Sequence, residues 1–173
     1  SRFFRIPQID WSRAFELATE RLERLDYPSS RRLSDAVGFL DMMGFEPENV
    51  GGSAAGFATA AERHRALRCL LERLANERPV ILWVDDVVWG RRALEFVEFL
   101  ADCDSFDDVA VLIVMTSRRE ALETRPREAR LLRDVCGRTG GEVVEVEPLD
   151  EEQQSELVGA MLDLAPDLLE RVV

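Results

Sequence analysis

Five consecutive apolar residues, Val80-Ile81-Leu82-Trp83-Val84, run without a break into two carboxylates, Asp85-Asp86. A short apolar run with no helical spacing predicts a strand buried on both faces of a parallel sheet. A second such run, Val109 to Met115, ends in Thr116-Ser117-Arg118. The stretch between them has helical spacing over about residues 91–101. Strand, helix and strand in that order predict a parallel βαβ crossover, which delivers both polar tails to one sheet edge. In open α/β sheets ligands bind beyond the carboxyl ends of the strands.

Upstream of the first run the period changes. Trp11, Phe15, Ala18, Leu22 and Leu25 recur every three or four residues, one face of a helix over about residues 10–26. Pro28-Ser29-Ser30 reads as a break, followed by a second helix over about residues 34–43 that stops at Gly44. Residues 47–56 read as a glycine-rich connection between helices. Thr59 and Glu62 have capping-box spacing and open a third helix to about Asn76.

Downstream, Pro126 marks the first turn of a helix that carries Leu131, Leu132 and Val135 and ends near Gly137. Glu142 to Glu147 alternates acidic and apolar residues, which predicts a third, more exposed strand. Asp150 with Gln153 caps a helix to about Leu162, and Pro166 starts another. The expected fold class is therefore α/β, a three-layer parallel sheet of which this chain holds a part. Three strands with so many helices imply that the sheet continues before Ser1.

Charge narrows the chemistry. Residues 1–78 hold twelve Arg and twelve acids, whereas residues 79–173 hold ten Arg against twenty-two acids and so carry the whole net charge of −12. That balance argues against a nucleic-acid partner or an anionic membrane surface, where cations must neutralise phosphates. The chain has no Lys. It therefore lacks the ammonium group of a Schiff base, of a phosphate-binding loop, or of a phosphoacceptor receiver domain, although acidic pairs also end strands in receivers. Cys69, Cys103 and Cys136 read as reduced, buried small hydrophobes. His64 reads as solvent-exposed on an Arg-rich helix face and has no zinc-type spacing to the cysteines. Trp11, Trp83 and Trp89 read as packing residues, and the acids at 102, 104, 107 and 108 as a solvated loop. The longest apolar run has seven residues, short of the ~20 of a membrane helix. A soluble, cytoplasmic setting is expected.

Asp85 and Asp86 have two readings. Two carboxylates at a strand end can hold Mg²⁺ through water and orient an attacking water. Alternatively, one caps the next helix and the other is solvated. Arg118, at the same edge, can reach a γ-phosphate or can pair with the acidic surface.

Pro79 to Asp86 with Trp89 and a following helix resembles the Walker B segment of the STAND ATPases, signal-transducing relatives of AAA+ proteins. Thr116-Ser117-Arg118 is similar to their Thr-Thr-Arg sensor. Glu147-Pro148-Leu149 followed by Asp150-Glu151-Glu152 looks like their exit into the lid, and Leu164 to Val173 like a lid helix. The likeness covers about residues 66–173. The chain departs from the family at Gly90-Arg91, where an acid is usual, and at Val88, where many members have His.

The resemblance implies a P-loop NTPase type of core in three parts. Residues 1–78 would be a helical segment between the phosphate loop and Walker B, residues 79–149 the nucleotide-binding core, and residues 150–173 the start of a helical lid. It also implies ATP or ADP with Mg²⁺ as ligand. Asp85 and Asp86 would lie on the metal side, with Asp86 as the water-orienting base. Thr116 and Arg118 would contact nucleotide, with Arg118 as the catalytic γ-phosphate sensor. Partners would be the rest of a multidomain parent, namely its phosphate loop, lid and sensor or effector domains, and oligomerisation stays open.

A phosphate loop needs Gly-x-x-x-x-Gly-Lys-Ser/Thr between a strand and a helix. Gly51 to Gly56 has the glycine spacing, but Phe57 stands where Lys is required. The expected function is thus the core fragment of a regulatory ATPase, inactive by itself. The alternative is a non-catalytic interaction module with an ATPase-like fold.

Overall fold

A computed structural model describes residues 10–45, 56–106 and 108–162, without the Ser105 side chain. The chain divides into two units, Ser1–Gly140 and Gly141–Val173. It is mostly helical with a small two-stranded parallel sheet, an arrangement compatible with an α/β fold.

Three helices open the first unit: α1 (Trp11–Arg24), α2 (Ser29–Met42) and α3 (Ala60–Glu77). The Asp10 carboxylate caps α1 by accepting the Arg13 N–H at 2.8 Å. Ala14, Ala18 and Leu22 lie on the inward stripe and pack with Phe39 and Leu40 of α2 and Ala66 and Leu70 of α3. Helix α2 starts five residues earlier than its spacing predicts. Pro28 does not break the chain but opens the helix, its carbonyl accepting the Arg31 and Arg32 N–H groups, each at 3.0 Å. Between α1 and α2, Tyr27 is 1% exposed and donates its hydroxyl to Asp35 Oδ2 at 2.6 Å. Arg31 pairs with the same carboxylate oxygen at 3.1 Å, so this buried acid is satisfied.

The capping box of α3 forms as expected. Thr59 Oγ1 accepts the Glu62 N–H at 3.1 Å, and Glu62 Oε2 accepts the Thr59 N–H at 3.3 Å. From α3, Leu71 points to a second core with Phe96, Leu100 and Phe106, which lies under the sheet.

Strands β1 (Val80–Val84) and β2 (Val111–Met115) flank α4 (Arg91–Ala101) and pair in parallel, with Val80 beside Val111 and Val84 beside Met115. The expectation of burial on both faces fails. Val80, Leu82, Val111 and Ile113 pack on the second core. The opposite face alternates out: Ile81 is 70%, Trp83 68%, Leu112 59% and Val114 39% exposed. Among the described residues, helices cover one face of the sheet only.

Beyond β2 come a short helix α5 (Arg119–Thr124), which no apolar spacing in the sequence announces, and α6 (Pro126–Thr139). Pro126 stands at the start of α6 as predicted. The end falls at Gly140 rather than Gly137, because Gly140 takes the left-handed conformation, φ +65°, that closes a helix.

In the second unit, residues 141–150 hold no strand, and Val143, Val144 and Val146 are 74%, 74% and 90% exposed. Alternation sets a side-chain period, but a strand also needs a paired edge. The predicted third strand at Glu142 to Glu147 is therefore corrected: among the described residues this segment forms no strand and joins no sheet. Helix α7 (Glu151–Leu162) comes next. Its predicted cap is present: Asp150 Oδ1 accepts the Gln153 N–H at 2.8 Å and Gln153 Oε1 accepts the Asp150 N–H at 3.1 Å.

The glycine-rich connection, apart from Gly56, and the helix expected from Pro166 lie outside the described residues. Among those described, no helix is long and apolar enough to cross a membrane.

Candidate functional site

The parallel register sets the site. Val84 and Met115 are the last paired residues, so Asp85 and Thr116 leave the sheet side by side. Their main chains stay tied past the strands: the Thr116 N–H donates to the Val84 carbonyl at 3.0 Å, and the Val87 N–H to the Thr116 carbonyl at 2.9 Å. The Thr116 hydroxyl donates to Asp85 Oδ1 and accepts the Asp86 N–H at 3.1 Å. One threonine thus fixes both the side chain of the first aspartate and the backbone of the second.

Asp86 has φ +47° and ψ +45°, a left-handed conformation that L-residues other than Asn and Asp rarely adopt. Burial of the next two residues holds the turn in place. Val87 and Val88 are 0% exposed and pack with Leu94 of α4 and Ala121 of α5 in a third core. A single 3₁₀ turn over Val87–Trp89 closes with the Trp89 N–H on the Asp86 carbonyl at 2.9 Å. Arg118, at the start of α5, sets its Nε 3.7 Å from Asp86 Oδ1, with the Arg118 side chain 76% exposed. An ion pair that long and wet contributes little to stability and leaves the guanidinium free to be drawn elsewhere.

Asp85, Asp86, Thr116 and Arg118, the four residues singled out from sequence, therefore meet at one end of the sheet. The helix-cap reading of the acids is not what the structure shows. Gly90 precedes α4, and no side-chain cap bond is made there. The donor set is two carboxylates and a hydroxyl, hard oxygens of the kind Mg²⁺ accepts. Among the described residues no group of three or more His, Cys, Asp or Glu could hold a metal. A cation here would take most of its ligands from water or from a phosphate-bearing ligand.

One neighbour has no sequence signal. Arg125 lies over the Trp89 ring, its guanidinium carbon 4.2 Å from the centroid, and its Nη1 donates to the Val88 carbonyl at 3.4 Å. No spacing rule links residues 36 apart across two helices.

Three readings away from this site change. His64 is 7% exposed, between the Phe96 and Phe99 rings at 5.5 and 5.4 Å, not solvated. Burial lowers its pKa, with Arg63 adding to the effect and Glu95 opposing it. Trp83 and Trp89 are 68% and 58% exposed rather than packed in. The three cysteines are free but half-buried.

Comparison of the chain with protein-family models, with curated proteins and with solved structures finds no match.

Proposed function

We propose that this chain is part of the nucleotide-binding core of a STAND-type signalling ATPase, a P-loop NTPase core in which ATP·Mg binding and hydrolysis act as a regulatory switch. The observation that carries the reading is the meeting of Asp85, Asp86, Thr116 and Arg118 beyond the carboxyl ends of two adjacent parallel strands. The order of motifs along residues 79–150 supports it further. In this reading Asp85 and Asp86 face the cation, Asp86 also orients the attacking water, and Thr116 and Arg118 contact the nucleotide. Mg²⁺, when bound, would neutralise phosphate charge.

With no Lys in the chain, the phosphate loop comes from the rest of the parent, and this chain alone has no turnover. Hydrolysis would release or hold the neighbouring sensor and effector domains of a cytoplasmic parent.

The test titrates ATP and ADP, with and without Mg²⁺, into the intact parent and its variants. Arg118→Ala is expected to weaken ATP roughly ten- to hundred-fold and to spare ADP, because only ATP offers the phosphate a charge-assisted guanidinium bond reaches. Asp85→Ala is expected to remove the Mg²⁺-dependent part of binding for both. Equal weakening of the two nucleotides by Arg118→Ala refutes the switch.

A second reading, a non-catalytic interaction module, is favoured by the bare apolar face of β1 and β2. It predicts that neither nucleotide binds and that Asp85→Ala changes nothing in either titration.

A further inference from the structure

The turn that carries Asp86 is gripped by a side chain bonded to its backbone, not to its carboxylate. The Asp86 carbonyl accepts the Trp89 N–H at 2.9 Å, and the Val87 carbonyl accepts the Gly90 N–H at 3.0 Å. The Val88 carbonyl belongs to a residue with no exposure, so water cannot serve it. Its donor is Arg125 Nη1 at 3.4 Å, and the same guanidinium covers the Trp89 ring at 4.2 Å. One group thus satisfies the turn's buried acceptor and stacks on its last side chain. A flat guanidinium with several donors can do both at once, and an ammonium cannot. The Glu128 carboxylate stands 3.9 Å from Nη1, beyond hydrogen-bond reach, and does not draw the group away.

Arg125 has little freedom of its own. It is the joint between α5 and α6: its N–H donates to the Ala121 carbonyl at 3.1 Å and its carbonyl accepts the Ala129 N–H at 3.0 Å. Pro126 follows and narrows the backbone choice of the residue before it. Helix α5 therefore meets the turn along its whole length. Arg118 at its start faces Asp86 at 3.7 Å, Ala121 packs with Val87 and Val88, and Arg125 just past its end holds Val88 and Trp89. The helix is a rod of about 9 Å, so any shift of the turn against it changes the spacing of Asp86 and Arg118.

We infer that Arg125 is a positioning residue for the candidate site: by holding Val88 and Trp89 it fixes the left-handed turn of Asp86 and the spacing between the Asp86 carboxylate and the Arg118 guanidinium. Because the grip is on backbone and ring, both Asp86 oxygens are left to the site's ligand. The effect of Arg125 on turnover rests on the proposed ATPase reading; its hold on the turn does not.

The test has two arms. In the chain itself, amide hydrogen exchange at Val87 and Trp89, whose N–H groups close the turn, is compared for the unsubstituted chain, Arg125→Lys and Arg125→Ala. Exchange at these amides should be about tenfold faster in Arg125→Ala, relative to the Leu82 and Val114 amides of the sheet, with Arg125→Lys in between. In the intact parent the same variants are assayed for ATP turnover. Arg125→Ala should lower kcat about ten- to hundred-fold and change KM less than about twofold, with partial rescue by Arg125→Lys. Trp89→Ala should reproduce part of the loss, and the double substitution should fall short of the two effects combined, because both side chains act through one contact.

Turn amides that exchange at the unsubstituted rate in Arg125→Ala would overturn the inference. So would an unaltered kcat beside loosened amides, with or without a higher KM, since Arg125 would then be a structural contact only. A parent with no turnover in its unsubstituted form refutes the ATPase reading instead, and the exchange arm still decides whether Arg125 holds the turn.

Discussion

Replacing Asp86 with Gly, Asn, Ala and Val tests whether the turn after β1 stores backbone strain beside its carboxylates. The residue sits at φ +47° and ψ +45°. A side chain with a Cβ pays roughly 1–2 kcal/mol to be there, Asn and Asp less, and Gly nothing. Val is the most disfavoured, since its branched Cβ is the worst fit to that region. Against this, Gly gives the unfolded chain extra freedom worth roughly 0.4–1 kcal/mol. The lost pairing to Arg118 counts for little, because at 3.7 Å and with the arginine 76% exposed it lies in the range of about 0–1 kcal/mol for surface pairs.

The turn has little scope to relax, since Val87 and Val88 behind it are fully buried and the Val87 N–H is committed to the Thr116 carbonyl. The expected stability order is Gly, Asn and Asp close together, then Ala about 1 kcal/mol lower, then Val about 2 kcal/mol below Gly. Urea unfolding followed by far-ultraviolet circular dichroism reads this as a falling midpoint at constant slope. Asp86→Val as stable as Asp86→Gly would refute the reasoning. Under the proposed ATPase reading, every member of the series is expected to lose nucleotide turnover in the intact parent, so that stability and activity separate at this residue.

Two further predictions rest on buried polar groups. Tyr27→Phe leaves the buried Asp35 carboxylate with one partner fewer and should cost about 1.5–3 kcal/mol in the same urea assay, with Asp35→Asn in the Phe background recovering part of the loss. His64 has its pKa held below the ordinary 6.5 by burial, and its Nε2 has no hydrogen-bond partner. The unfolded chain therefore takes up the proton first, so stability should fall as pH drops below about 6.5, by no more than about 1.4 kcal/mol per pH unit, until the folded form titrates too. His64→Leu should flatten that slope, and an unchanged slope would show that other groups cause it.

The features legible in the sequence are those that local chemistry decides. The boxes at Thr59–Glu62 and Asp150–Gln153 need only residues three apart, and both form as expected. The strand at 80–84 and the helix at 91–101 also stand where the period puts them. The four site residues were legible for a related reason: once two parallel strands pair in register, the residues just beyond each strand are brought together.

Properties that depend on distant neighbours were not legible. His64 lies among arginines in sequence but between two phenylalanines of α4 in space. Residues 142–147 have a strand's alternation and no paired edge. Pro28 opens a helix or breaks one according to its tertiary setting, and here Tyr27 and Asp35 bind the two helices together across it.

The two aspartates, adjacent in sequence, end up in different environments, and the exposed face explains why that matters. Asp85 continues the outward row of Ile81 and Trp83, so any element that covers those residues also takes water from Asp85. The left-handed turn carries Asp86 off that row toward Arg118. A carboxylate losing water keeps its charge only if hydrogen bonds or a cation replace the solvent. Asp85 already holds one such bond, from the Thr116 hydroxyl, and Thr116 has its own lone pair engaged by the Asp86 N–H. Asp85 thus keeps a hydroxyl donor on the outward row, while the half-buried Asp86 faces the exposed guanidinium of Arg118. Thr116→Val tests this link: it keeps the shape of the β2 end while removing the hydroxyl that donates to Asp85 and accepts the Asp86 N–H. Urea unfolding should show the variant less stable by about 0.5–1.5 kcal/mol, the usual net worth of such a hydrogen bond. An unchanged urea midpoint would show that the hydroxyl does not hold the two aspartates in place.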